Sequence, residues 1–426
     1  MATNRRELLK FAGAGATLAA IGGCASTPEV QKPLGRVVVI GGGWGGTTAA
    51  KYIRMWSGGA VQVFLIERNP AFVSCPLSNL VLGGSRKIED LTIAYTGLRD
   101  YGVQVLRDEV TGINLERKRV QLKRIEDLPY DRLIVSPGID FMYDQVAGLN
   151  SPEAQKLLLH AWKAGPETVA LRAQLEAMPD GGVVVLSIPR APYRCPPGPY
   201  ERTCQIALYL RNSKPKSKLI VLDANENIVS KPGLFGAAWK SLYANIIDYR
   251  PNNEVKEVDH RAMTVKTDFD TIKGNVINVL PPMRAGDIAR TAGLVTANNR
   301  WCGVDWRTME STAVKNVHVL GDSTLSAPGM PKSGHMANSH GKIAAGAIIA
   351  LMSGREVNPA PVIANTCYSF MSDQLAAHVA SVHRYDPEKK DLLPVAGAGG
   401  VSAQNNALEH QLAQAWARNI WNDMLS

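Results

Sequence analysis

Glycines at positions 41, 43 and 46 stand directly behind the apolar run Val37-Val38-Val39-Ile40 and ahead of Thr47 to Trp56, which has the composition of a helix start. Gly41, Gly43 and Gly46 therefore fit GxGxxG in the strand, turn, helix context that the motif requires. Glycine lets the backbone come close to a pyrophosphate, and the free amides at the positive end of the following helix hold its charge. A second strand, Val61 to Ile66, ends in Glu67, near the ~20-residue offset at which an acid grips an adenosine ribose. A carboxylate there selects an unphosphorylated ribose. The chemistry expected of this stretch is the holding of a dinucleotide; the plain alternative is a glycine-rich turn in an ordinary α/β domain.

Cysteine is the other reactive residue type, at positions 24, 75, 195, 204, 302 and 367. None stands in Cys-x-x-Cys-His and none has zinc spacing, so neither c-type haem nor a metal is expected on this chain. The first of them falls in a leader. Arg5-Arg6, Leu8-Leu9-Lys10 and the Ala/Gly-rich run Phe11 to Gly23 have the layout of a twin-arginine export signal, expected over residues 1–25 with the mature chain starting near Ser26. That pathway carries folded proteins to the periplasm, which suits a chain that acquires a cofactor first. The run is too short and too rich in glycine for a membrane span of ~20 apolar residues, so no integral membrane segment is expected. Ile21-Gly22-Gly23-Cys24 also resembles a lipobox, and lipid attachment at Cys24 is the competing reading. Loss of Cys24 leaves five cysteines, an odd number, and in an oxidising compartment at least one then has a fate other than a structural disulfide.

The elements that must position these groups form two similar units. The net charge of +9 includes the basic leader, and no dense basic run with interleaved aromatics points to nucleic acid. Residues 34–140 read as the first part of a dinucleotide-binding domain. They close with the strand Tyr130 to Val135 and Ser136-Pro137-Gly138, where the chain of a two-domain flavoprotein leaves its flavin domain. Residues 141–280 read as a second Rossmann-like domain: a helical stretch Ala161 to Met178, a strand Gly181 to Ile188, a helix Tyr200 to Arg211 and a strand Leu219 to Asp223. Its turn, however, is Pro189 to Pro199. Prolines fix the backbone and remove the amide donors a pyrophosphate needs, so no NAD is expected there. Residues 281–355 read as the return to the first domain. The strand Val317 to Leu320 ends in Gly321-Asp322, an acid suited to a flavin ribityl hydroxyl. Met330-Pro331-Lys332-Ser333-Gly334 then opens a small-residue helix whose positive end, with Lys332, is expected at the pyrimidine edge of a reduced flavin. Residues 356–426 complete the chain. Leu408, Leu412, Trp416, Ile420 and Met424 stand there at helical spacing, as on a helix that docks against the body or a partner.

Gly41 to Gly46, Ser74-Cys75-Pro76-Leu77-Ser78-Asn79, Arg194-Cys195-Pro196-Pro197-Gly198-Pro199-Tyr200-Glu201, Met330 to Gly334 and Asn365-Thr366-Cys367-Tyr368-Ser369 together resemble the flavoprotein subunit of flavocytochrome c sulfide dehydrogenase. The resemblance runs from about Gly35 to the end of the sequence. It implies a glutathione-reductase-like α/β fold: two Rossmann-like domains, with FAD in the domain formed by 34–140 and 281–355, and a C-terminal α+β interface domain. It implies a periplasmic enzyme that oxidises sulfide to sulfur or polysulfide and forms a heterodimer with a c-type cytochrome subunit. Cys75 matches the cysteine that holds FAD covalently through an 8α thioether, and a residue in the loop after the ribose-binding acid is placed to reach that ring. Cys195 and Cys367 match the redox-active disulfide. Hydrosulfide attack on a disulfide gives a persulfide on one cysteine and a thiolate on the other.

Glu201, at the opening of its helix, is the candidate general base, since an apolar pocket raises a carboxyl's proton affinity. The commonplace reading is a glutamate favoured by the helix dipole. Cys204 and Cys302 are expected to be core thiols. Two rival functions are a sulfide:quinone oxidoreductase and a flavin-holding electron-transfer subunit without sulfide turnover of its own.

Overall fold

The computed structural model describes residues 33–426; the expected export signal and Cys24 lie outside them. The first sheet has seven strands. In chain order they are β1 (Gly35–Ile40), β2 (Val61–Glu67), β3 (Gln104–Arg107), β4 (Arg132–Val135), β5 (Val304–Asp305), β6 (Glu310–Ser311) and β7 (Val317–Val319), and across the sheet the order is β5-β6-β7-β4-β1-β2-β3. The pairs between β7 and β3 are parallel, while β5, β6 and β7 are joined antiparallel. Val37, Val38 and Val39 are all inaccessible to solvent. A central parallel strand covered on both faces favours such a continuous apolar run over alternation. Residues from before 140 and after 300 thus build one sheet, across which the chain inserts a second.

Helix α1 (Trp44–Trp56) follows β1, and α2 (Gly334–Met352) packs closely along it. The reason for the small-residue composition of α2 is visible here: a Cβ on Gly341 would stand 2.7 Å from the Gly45 carbonyl oxygen.

The inserted sheet is four-stranded and all parallel, in the order β11-β9-β8-β12. Its members are β8 (Val183–Ile188), β9 (Lys218–Asp223), β11 (Ile247–Arg250) and β12 (Val276–Val279), with a small antiparallel pair, β10 (Ile139–Phe141) and Met283–Ala285, at the crossover. Helix α3 (Gly198–Ser213) joins β8 to β9, and α4 (Pro232–Leu242) follows β9. Asp223, the acid after β9, has its carboxylate taken by the hydroxyls of Tyr200 (2.8 Å) and Tyr249 (2.9 Å) and by Asn225. One helix is shorter than the sequence pattern suggests. It spans Pro166–Ala177 rather than Ala161 to Met178, because Ala161 and Gly165 adopt positive φ and Pro166 takes the first turn.

Residues beyond 358 form a three-stranded antiparallel sheet of β13 (Val362–Phe370), β14 (Ala376–Asp386) and β15 (Asp391–Val401), followed by α5 (Ala407–Leu425). Only part of the expected docking stripe on α5 meets the body. Trp416 stacks on Trp44 with ring centroids 6.3 Å apart, and Ile420 and Met424 are buried, while Leu408 and Leu412 are exposed. Asp423 binds Tyr52, Asn338 and Lys342, so the helix end is tied into the first domain. No helix among the described residues is long and apolar enough to cross a membrane.

Candidate functional site

The glycine turn is built as a cradle. Gly43 caps α1 without any side-chain bond, and the first amide bonded inside the helix is that of Thr47, which leaves the amides of 44 to 46 without helical partners. Gly41 has φ of 98°, and Gly46 packs so tightly on the Gly41 carbonyl that no Cβ fits. At Gly43, by contrast, an added Cβ would meet nothing within 4 Å, so this face of the turn is open. Glu67 sits beside it: one carboxylate oxygen accepts from the Gly42 amide at 2.7 Å and the other from Asn69. On the far side Asp322, in the turn after β7, holds a buried Oδ1 without a partner among the described residues, and burial raises its carboxyl's pKa. An open glycine face, uncommitted helix amides, a ribose-type acid and an orphaned carboxylate oxygen fit a bound FAD.

Lys332 is buried. Its ammonium donates to the carbonyls of Asp322 (3.1 Å) and Thr324 and lies 3.7 Å from the centre of the Trp301 ring. Burial lowers its pKa to about 8. The start of α2 follows, capped by Ser333, whose hydroxyl accepts from the Met336 amide.

Three cysteines converge on the opening of α3. Cys195 adopts φ of 59°, with its amide bonded to the Lys332 carbonyl at 2.8 Å and its carbonyl accepting from Gly198. Gly198 has to be glycine: a Cβ would stand 2.7 Å from the Trp162 ring and 2.9 Å from the Cys195 sulfur. Cys367 lies in β13. Burial pushes both thiols up, and each would feel the charge of Glu201 and Lys231, with Cys195 raised further by Cys367. No bond joins the two sulfurs in this structure. Cys75, half-buried, has its sulfur 4.0 Å from the backbone carbonyl of the same tryptophan.

Glu201 holds this region together. It is buried, accepting from Asn79 (2.8 Å) through one oxygen and from the Phe370 amide (3.1 Å) through the other, and desolvation raises its pKa. Asn79 comes from the Cys75 loop and Phe370 from the Cys367 strand. The carboxylate therefore binds the segments of all three cysteines.

Several residues of this centre escape sequence reading. Arg202 is 1 % exposed and donates to the carbonyls of His160 and Ala161 and to Asn278 and Asn79, with its guanidinium 4.7 Å from the Trp162 ring centre; burial lowers its pKa to about 9. Its signal was a charge pair, Glu201-Arg202, in the first turns of a helix. Lys231 is 4 % exposed and donates to the Cys367 carbonyl at 3.0 Å; beside Pro232-Gly233 it reads as an ordinary loop residue. Cys204 and Cys302 are buried, the former accepting from the Trp239 indole.

Three family models match. Residues 35–165 fit "Pyridine nucleotide-disulphide oxidoreductase", 168–281 fit "Sulfide dehydrogenase [flavocytochrome c] flavoprotein chain, central", and 359–425 fit "Flavocytochrome c sulphide dehydrogenase, flavin-binding". Mitochondrial sulfide:quinone oxidoreductases of Mus musculus and Dictyostelium discoideum are each 23 % identical, over 68 % and 69 % of this chain but just 65 % and 66 % of their own length. The sulfide dehydrogenase [flavocytochrome c] flavoprotein chain of Chlorobaculum thiosulfatiphilum is 52 % identical over 46 residues, 11 % of this chain and 94 % of that sequence. Among solved structures, the sulfide:quinone oxidoreductase of Aquifex aeolicus superposes with a TM-score of 0.70 at 19 % identity, covering 91 % of both chains. At that identity the likeness establishes the shared glutathione-reductase-like flavoprotein fold.

Proposed function

We propose that this chain, which matches models of the flavocytochrome c sulfide dehydrogenase flavoprotein chain and of pyridine nucleotide-disulphide oxidoreductases, is a sulfide-oxidising flavoprotein that uses FAD and passes the electrons singly to a periplasmic c-type cytochrome subunit. The observation that carries the reading is the meeting of Cys195, Cys367 and Glu201 at the start of α3, with Cys75 on the loop that Asn79 ties to Glu201. Gly41, Gly43, Gly46, Glu67 and Asp322 would hold the cofactor, and Cys75 would retain it through a thioether. Bound there, FAD supplies a two-electron acceptor able to release its electrons one at a time. Cys195 and Cys367, as a disulfide, are the electrophile for hydrosulfide. Glu201, kept in place by Asn79 and Phe370, exchanges the proton, and its burial lifts its affinity toward neutral pH.

The test is anaerobic addition of sulfide with either oxidised cytochrome c or a short-chain quinone as acceptor. Bleaching of the flavin followed by cytochrome reduction is the expected result, and the same protein denatured in acid keeps flavin fluorescence on the polypeptide, lost in Cys75→Ser. Turnover with quinone alone and release of free flavin would replace this reading with that of a sulfide:quinone oxidoreductase. The alignments with the mitochondrial enzymes favour that second reading.

Glu201→Gln separates its two roles. The base form is the deprotonated one, so kcat at saturating sulfide falls as pH drops through a pKa raised above the ordinary glutamate value. The glutamine variant is expected to lose roughly 10²-fold in kcat and, with it, this acid limb, the scale of a missing general base. A pH profile unchanged in shape would leave Glu201 a structural residue.

A further inference from the structure

Lys231 is a buried cation that the reading above leaves unused. It precedes α4 with φ of 53°, a left-handed conformation unfavourable for a lysine, and its side chain is drawn inward rather than into solvent. The ammonium has three donors, one of which reaches the Cys367 carbonyl at 3.0 Å. The charged or titratable groups that face it are Cys367, Cys195, Glu201 and Glu409. Glu201 is spent on Asn79 and the Phe370 amide, and Glu409 on His378 and Ser402. Among the described residues no carboxylate lies within ion-pair distance of Lys231. An ammonium is costly to bury without a counter-charge, and the groups that can provide one are the cysteines.

The two cysteines are not equivalent toward it. At Cys367 both ends of the Asn365 amide lie 3.5 Å from the sulfur; since Oδ1 already accepts from Ser333 at 2.6 Å, the NH₂ is the end that can donate to a thiolate there. Lys231 is also the strongest charge favouring a Cys367 thiolate. Cys195 has no side-chain donor to its sulfur among the described residues; that sulfur lies against Gly198, and the charge that most favours its thiolate is Arg194 rather than Lys231.

We propose that Lys231, with Asn365, is the positioning cation that makes Cys367 the sulfur that leaves, so that sulfide adds to Cys195. The proposal rests on the sulfide-oxidising reading. In the step, HS⁻ bonds to the Cys195 sulfur as the Cys195–Cys367 bond breaks; the bonding pair departs on Cys367 as a thiolate, and Cys195 keeps a persulfide with its proton. Sulfide sulfur is oxidised and Cys367 sulfur reduced, with no other reactant.

Two measurements on the flavin-loaded protein test it. Fully reduced protein is pulsed with iodoacetamide near neutral pH, and the labelled Cys195 and Cys367 peptides are quantified by mass spectrometry. In Lys231→Met the Cys367 rate is expected to fall about tenfold, equivalent to about one pKa unit, and the Cys195 rate by clearly less; Lys231→Arg restores it. Asn365→Ala, which leaves the lysine in place, slows Cys367 in the same direction and keeps the test open if the methionine variant does not fold. Oxidised protein given one equivalent of sulfide and then trapped carries the extra sulfur on the Cys195 peptide. Equal Cys367 rates in Lys231→Met and wild type, or extra sulfur on Cys367, would overturn the proposal. Alkylation needs no turnover, so a wild-type protein inert to sulfide defeats the functional reading separately from the role of Lys231.

Discussion

Cys195→Ala and Cys367→Ala, singly or together, are expected to retain FAD and to lose sulfide-driven flavin reduction by roughly 10³-fold or more, the scale on which removal of a catalytic nucleophile is felt. The effects are not additive. A disulfide needs both sulfurs, so either single change removes the electrophile as fully as the pair does, and the double variant is no slower than the worse single one. Flavin retention follows from the geometry, because the cradle residues 41 to 46, Glu67 and Asp322 belong to other elements. Neither cysteine carries the core packing that Cys204 and Cys302 do, since both are partly accessible. Stopped-flow absorbance of the flavin after mixing with sulfide measures the loss. Wild-type reduction rates in the double variant would end the disulfide mechanism.

Gly46→Ala is expected to yield protein without flavin, if it folds at all. The added methyl would run into the Gly41 carbonyl, which cannot retreat because Gly41 is itself packed against the backbone of Ser136. Overpacking of this kind costs about 1–3 kcal/mol and more where, as here, backbone must move. Gly43→Ala is the matched comparison. Its methyl enters open space in the protein alone, so the variant is expected to keep the wild-type unfolding temperature while binding FAD more weakly. Flavin absorbance per polypeptide, read beside thermal unfolding, distinguishes the two. Full flavin loading in both variants would mean that the pyrophosphate lies elsewhere.

The parallel strands and the glycine turn were legible because their physics is local. An uninterrupted apolar run such as Val37 to Ile40, broken by glycines, has few other uses. The strands β13 to β15 were not legible individually: β15 holds three glycines and a proline, and β14 few β-branched residues. Their order comes from pairing with one another, which no local window contains. The sulfur centre was legible through the resemblance to a known family and not through spacing, since Cys195 and Cys367 are far apart in sequence. Lys332 was legible as a candidate, while the Trp301 face and the two carbonyls that hold its ammonium come from distant segments that no local window contains. Lys231 gave no signal at all, because a lysine before Pro-Gly is indistinguishable from a solvated loop residue until the chain is folded.

Glu201 joins a loop near residue 79 to a strand near residue 370, and this contact has a meaning for the life of the molecule. A chain still emerging from synthesis, or one partly unravelled by damage, has not brought those segments together, so its cysteines stand scattered and cannot act on one another. The meeting of Cys195 with Cys367 and the completion of the architecture thus arrive at the same moment.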